Sequence, residues 1–201
     1  MKAVITGDII NSESTQTEIW LKPLKALLSH WGSSPKDWEI YRGDEFQIKC
    51  DPKLAFKYVL AIKSLVKSID SLDVRMAIGI GEETFMSEKI TESNGSAYVS
   101  SGRLLNQLKN DGKTLAIQTP NPDLNEELNL LFKWASIDFD SWTWAVAQIL
   151  HEFIIQPGIT QEELAQKFSI TQSSVSQRLK RANLDLISQT ELYYQQKISQ
   201  L

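Results

Sequence analysis

Two carboxylates at the ends of short apolar runs carry the clearest chemistry in this chain. Asp8 closes the run Ala3-Val4-Ile5-Thr6-Gly7, and Asp44 sits inside Ile40-Tyr41-Arg42-Gly43-Asp44-Glu45-Phe46-Gln47-Ile48. A β-branched apolar run of this length reads as a buried strand, which leaves Asp8 where the strand ends. The tetrad Arg42-Gly43-Asp44-Glu45 between two β-like stretches suits a hairpin tip, from which Asp44 and Glu45 project. If the hairpin pairs with the first strand, the carboxylates lie side by side, and such a pair stays ionised only when a cation or donors neutralise it. Magnesium, or manganese in its place, bound by oxygen ligands and by a substrate's phosphates, is the natural candidate. Read singly, Asp8 is equally a cap for the next helix or turn, and Gly43-Asp44 is equally a tight hairpin.

The elements that must position these groups come in a clear order. Ile19, Trp20, Leu24, Leu27 and Leu28 recur at helical spacing up to His30, with Pro23 as an irregularity. Gly32-Ser33-Ser34-Pro35 breaks that helix before the hairpin. Asp51-Pro52 opens a second helix, with Leu54, Ala55, Tyr58, Val59, Ile62, Leu65, Val66 and Ile69 as its buried stripe. Val74 to Gly81 reads as a strand whose glycines suit the close approach of a backbone or ligand. A helix over Ala97 to Leu108 ends at Asn110-Asp111-Gly112, and a last strand runs from Lys113 to Gln118. The order βαββαβ followed by αβ is the split βαβ, ferredoxin-like plan with an addition.

Beyond Pro122 the pattern is wholly helical, so the fold class is α+β. The expected division is residues 1–120 as an α/β domain, 121–140 as a linker or helix, and 141–201 as a helical domain. Leu124 to Trp134 is amphipathic, and Ser141 to Ile155 carries Trp142, Trp144, Ile149 and Phe153 at a spacing that reads as packing. Thr160-Gln161-Glu162-Glu163 is a capping box that starts the next helix. Ala165, a turn at Ser169-Ile170-Thr171, and a helix over Gln172 to Leu184 complete a helix-turn-helix pattern. Its second helix offers Gln172, Ser173, Ser174, Ser176, Gln177, Arg178, Lys180 and Arg181, whose amides, hydroxyls and cations suit base edges and phosphates. The same helices also serve a module that touches only protein.

Composition sets the bounds. At 201 residues, 42% hydrophobic and a formal net charge of -4, the chain has enough apolar material for a core and no bulk charge for coating nucleic acid. Any contact with DNA must be local. Cys50 is the sole cysteine and the histidines are His30 and His151, which excludes an intrachain disulfide and thiolate clusters. No apolar run approaches the roughly 20 residues that span a bilayer, and the N-terminus enters a strand rather than a signal peptide; a cytoplasmic protein without membrane partners is expected.

The assembled residues resemble the palm fold shared by class III nucleotidyl cyclases and diguanylate cyclases, and within it are most similar to the SatD family. The resemblance rests on Thr6-Gly7-Asp8-Ile9-Ile10-Asn11-Ser12, Gly43-Asp44-Glu45-Phe46-Gln47, Arg75-Met76-Ala77-Ile78-Gly79-Ile80-Gly81 and Gly95-Ser96-Ala97-Tyr98. It covers a little over half the chain, from Lys2 to about Gln118; the remainder resembles the helix-turn-helix of bacterial transcription regulators. The resemblance implies metal ligation by Asp8, Asp44 and the carbonyl of Ile9, with Glu45 and Arg103 as catalytic groups and Ile9, Arg42 and Gly43 against a nucleoside triphosphate or related nucleotide. Departures are equally marked. Val99 replaces the asparagine one turn before the arginine, Ile40 stands where adenylyl cyclases carry a base-selecting lysine, and Arg42 replaces the first glycine of the diguanylate cyclase signature. They point away from cyclic AMP and cyclic di-GMP synthesis and towards altered specificity or a sensor. Three functions stand open: a magnesium- and nucleotide-binding regulator with a DNA-binding module, a metal-dependent nucleotidyl cyclase or nucleotide hydrolase, and a non-catalytic adaptor. A homodimer is expected for the first two.

Overall fold

The computed structural model describes residues 1–69 and 71–201. Its strands are β1 (Lys2–Ile10), β2 (Trp38–Tyr41), β3 (Glu45–Cys50), β4 (Asp73–Gly81) and β5 (Leu115–Gln118), and its α-helices are α1 (Thr17–Trp31), α2 (Ala55–Lys67), α3 (Ser96–Asp111), α4 (Pro122–Ser141), α5 (Trp144–Ile155), α6 (Gln161–Lys167), α7 (Gln172–Arg181) and α8 (Leu184–Ile198). The five strands form one mixed sheet in the order β2-β3-β1-β4-β5. The central strand β1 runs antiparallel to both β3 and β4, and only β4 and β5 are parallel.

Alternation along β1 divides the two faces of the sheet. Ala3, Ile5 and Ile9 join a large apolar cluster with α1 and α2, whereas Val4 packs with Ala97 and Tyr98 at the start of α3. Thr6, on the α3 face, is held by a buried polar pair: its hydroxyl donates to Ser101 Oγ at 2.9 Å and accepts from Gln47 Nε2 at 3.2 Å. The glycine expected to admit a close neighbour does so. A Cβ on Gly79 would stand 2.2 Å from the carbonyl oxygen of Ala97 and 2.6 Å from the amide of Ser101, so α3 lies directly on β4. Gly112, at φ 64°, then ends α3 in the left-handed conformation.

The open edge of the sheet is closed by side chains rather than by a sixth strand. Asn129 of α4 donates to the carbonyl of Ile117 at 2.8 Å and accepts from its amide at 2.9 Å; Asn125 does the same for Thr119 at 3.0 and 2.7 Å. Two amide side chains one helical turn apart thus bond alternate residues of the edge, which removes the ladder another chain would join.

The segment expected as a linker or helix over 121–140 is one unbroken 20-residue helix, capped by Asn121. Its Phe132 stacks on Phe56 of α2 and Phe139 tilts against the same ring, while Lys63, only 3% exposed, bonds Asp73 and Asp140 at 2.6 Å each. One apolar cluster runs from Ala3 through Phe56 and Leu150 to Ile198, across the expected division at residue 120. The helix expected over Gln172 to Leu184 is interrupted: Asn183 at φ 51° separates α7 from α8. No described helix is long and apolar enough to cross a membrane.

Candidate functional site

The register of β1 makes the site. Asp8 lies opposite Glu45 on β3 and opposite Arg75 on β4. Two carboxylates facing each other across a ladder repel, and the neighbouring strand and α3 supply the compensation. Arg75 Nη1 donates to both oxygens of Asp8, at 2.8 and 3.1 Å, while its Nε donates to the carbonyl of Lys113 at 3.1 Å. Lys109, reaching down from α3, bonds Glu45 at 2.8 Å and stands 3.8 Å from Asp8. The result is a carboxylate pair clamped by two cations on the α3 face.

Asp44 approaches from the other side. Arg42 at φ 50° and Gly43 at φ 90° turn the hairpin, and the amide of Ile9 donates to the carbonyl of Asp44 at 3.2 Å, which pins the tip to the end of β1. Ser12 Oγ donates to Asp44 Oδ2 at 2.8 Å. Asp8, Ile9, Ser12, Asp44 and Arg75 line one open cleft of about 610 Å³. The expected pairing of Asp8 with Asp44 is therefore realised as a shared cleft, with Ile9 in its wall.

Burial is the largest influence on Asp8 and raises its pKa above the usual carboxylate value. Arg75 and Lys109 pull the other way, and Asp44 adds to the rise. Burial prevailing over two cations means that an ionised Asp8 costs the fold stability at neutral pH, a cost typical of positions kept for something other than packing.

The donor set can be set against magnesium. Among the described residues no three His, Cys, Asp or Glu side chains gather into a metal cage. Magnesium, however, is commonly held by one or two carboxylates together with substrate phosphates. Asp8 and Asp44 in one cleft fit that mode, since each carboxylate has lone pairs beyond those used by Arg75 and Ser12. They fit an ion that arrives with phosphate rather than one resident in a protein cage.

Other residues expected at the site lie elsewhere. Arg103 is on the exposed face of α3 and makes no ion pair or hydrogen bond with Asp8, Asp44 or Glu45; Lys109 is the cation of α3 that reaches them. Arg42 projects into solvent, its side chain 79% exposed and 3.8 Å from Glu45. Gly43 has open space around it. Arg75 and Lys109 are the functional candidates that sequence reasoning missed.

In the helical part, α5, α6 and α7 pack together, and the capping box of Thr160 with Glu163 is formed. On α7 Val175 and Leu179 face inward, whereas Gln172, Ser173, Ser176, Gln177, Lys180 and Arg181 are exposed. Ser174 is half-buried in the cap made by Thr171, and Arg178 turns back towards the carbonyl of Ala145 at 3.5 Å. Lys180 and Arg181 make no ion pair among the described residues, and with the exposed amides they form a modest polar face on α7.

No curated protein is significantly similar to the chain. A family model described as the SatD family matches residues 2–197.

Proposed function

Because the chain belongs to the SatD family and joins a two-carboxylate cleft to a compact helical trio, we propose that it is a regulator: a ferredoxin-like palm takes a nucleotide with magnesium, and a helix-turn-helix formed by α6 and α7 binds DNA. The observation that carries the first half is Asp8, a buried carboxylate with a raised pKa beside Asp44 in an open cleft. The strand order β2-β3-β1-β4 and its connectivity support the palm reading. For DNA the support is the exposed Gln172, Ser173, Gln177, Lys180 and Arg181 on one short helix, with Ser174 and Arg178 in supporting positions.

Asp8, Asp44 and the carbonyl of Ile9 would hold the ion, which supplies positive charge against the phosphates. Without ligand, Arg75 and Lys109 neutralise Asp8 and Glu45. A phosphate entering the cleft gives Arg75 a second anionic partner, and the guanidinium, with donors on two edges, can serve both. Arg75 also holds the carbonyl of Lys113, and the next residue, Thr114, donates to Asp140 near the end of α4 at 3.2 and 3.3 Å. A shift of Arg75 is thereby transmitted to the start of the helical trio, a coupling built from contacts that exist in the fold.

Calorimetric titration with ATP, GTP, CTP and UTP, with and without magnesium, tests the reading. Magnesium-dependent binding that disappears in Asp8→Asn and in Asp44→Asn is the expected result; unchanged affinity in both variants overturns it. Chromatography of the incubated mixtures separates a regulator from an enzyme, since a cyclase or hydrolase leaves a new product.

A further inference from the structure

The outer face of α4 is apolar where a helix on the surface should be polar. Leu130, Trp134 and Ile137 recur at i, i+4 and i+7 on one stripe and are 62%, 69% and 65% exposed. Leu186 of α8, 60% exposed, lines the groove between α4 and α8 together with Trp134. The inner face of α4 is already satisfied by Leu124, Leu128, Phe132 and Phe139, so the outer stripe is a second apolar face on the same helix.

We infer that this face is the surface through which two copies of the chain associate. Its shape contains both parts of a self-complementary contact. Trp134 projects, and beside it the groove between α4 and α8, about 290 Å³ and walled by Leu131, Ala135, Leu186 and Ile187, is open. A two-fold axis places each copy's indole in the other's groove, because an isologous interface needs knob and hole on one patch.

The size is adequate. A 20-residue helix is about 30 Å long, and with α8 alongside the strip is about 20 Å wide. That footprint of roughly 600 Å² compares with the about 800 Å² of accessible surface that each partner of a standard interface buries.

Charge selects a second copy over a charged partner. The carboxylates bordering the stripe are already engaged within the chain: Glu127 with Lys197 and Tyr193, Asp138 with Asn183 and Trp142, Asp140 with Lys63 and Thr114. Closing the interface therefore leaves none of these three as a newly unpaired buried anion. The charges left on this face among the described residues are of both signs, exposed Asp123 and Glu126 towards the start of the helix and Lys133 next to Trp134, and the lysine stem can lie along apolar surface with the ammonium in water. A single lysine offers nothing like the basic rim that an anionic lipid surface would require. The inference is independent of magnesium, nucleotide and DNA.

Molar mass by light scattering on the full chain, from about 1 to 100 μM, is the test. The wild type is expected at twice 22.8 kDa. Trp134→Glu and Leu130→Glu are each expected to weaken association by about 30-fold or more, as loss of a central anchor does, with thermal midpoints of the dilute proteins unchanged. Phe85→Glu, at a similarly exposed apolar residue outside both α4 and α8, is expected to leave the dimer intact. A monomeric wild type at 100 μM overturns the inference, whether or not it sediments with anionic vesicles, as does a dimer that both α4 variants retain.

Discussion

Replacing Arg75 by methionine keeps the apolar stem of the side chain and deletes the guanidinium, so it isolates what the cation does for Asp8. The pair is well buried, with side chains 16% and 12% exposed and bonds of 2.8 and 3.1 Å. Removing one partner of such a pair typically costs about 3–5 kcal/mol; Lys109, 3.8 Å away and 32% exposed, remains as partial compensation and favours the low end, about 3 kcal/mol. The direction with pH follows from linkage. The folded-state pKa of Asp8 is already above its ordinary value of 3.8, so its contribution is fully present below that value and is withdrawn as pH rises through the folded pKa. Without Arg75 the folded pKa climbs further, and the penalty of Arg75→Met is largest at pH 7.5 and shrinks towards pH 4. The bond from Arg75 Nε to the Lys113 carbonyl adds an offset of about 1 kcal/mol that does not vary with pH. Urea unfolding at pH 7.5 and 4.5, followed by tryptophan fluorescence, reads both parts, and a loss of 3 kcal/mol lowers the thermal midpoint of a chain this size by roughly 6–12 °C. Adding Asp8→Asn to Arg75→Met should recover most of the loss at pH 7.5, because the buried group is then neutral. A penalty under about 1 kcal/mol at pH 7.5, the range of an exposed pair, or one equal at both pH values, refutes the argument that Arg75 is the principal compensation for a buried charge.

Two further outcomes are expected. Lys180→Ala with Arg181→Ala should weaken DNA binding almost uniformly across sequences and reduce the slope of log affinity against log salt by about 2, if each contacts one phosphate; an unchanged slope in filter or anisotropy titrations removes α7 from the nucleic-acid reading. Gly79→Ala should destabilise the protein by roughly 1–3 kcal/mol in urea unfolding, because its Cβ would meet the backbone of α3 at 2.2 Å; a cost of a few tenths would mean that α3 moves off the sheet easily and is a poor anchor for Lys109.

Much of this organisation was legible because local pattern and tertiary role agree. β1 and β4 are β-branched runs that become central strands, and Asp51-Pro52, Thr160 and Gly112 mark helix boundaries found near them. Asp8 and Asp44 could be linked before the fold was known, since a hairpin beside a strand leaves few places for its tip. Their compensation could not, because it depends on register and helix phase. Arg75 meets Asp8 only when β1 and β4 pair with those residues opposite each other. On α3, with 3.6 residues per turn, Arg103 lies about 200° round from buried Ser101 and Lys109 about 80°. The family pattern favoured the former, and the phase of the helix delivers the latter to Asp8 and Glu45. The polar end of α4 and the whole of α8 were obscured for a related reason. Asp138 and Asp140 look like a linker until their bonds to Trp142, Asn183, Lys63 and Thr114 are seen. In α8 the inward positions are Ile187, Thr190, Tyr194 and Ile198, so half of its buried face is polar by residue type. Tyr194 is fully buried because its hydroxyl donates to the carbonyl of Pro52 at 2.8 Å while its ring packs on Phe56 and Phe132. Each missed feature is a polar side chain whose partner lies far along the chain: a buried hydroxyl or ammonium is tolerated only once that partner is in place. The same dependence is why the clamp on Asp8 ties four elements, β1, β3, β4 and α3, into one site: with Arg75 drawn away from Asp8, Lys109, which it shares with Glu45, is the cation left to neutralise it.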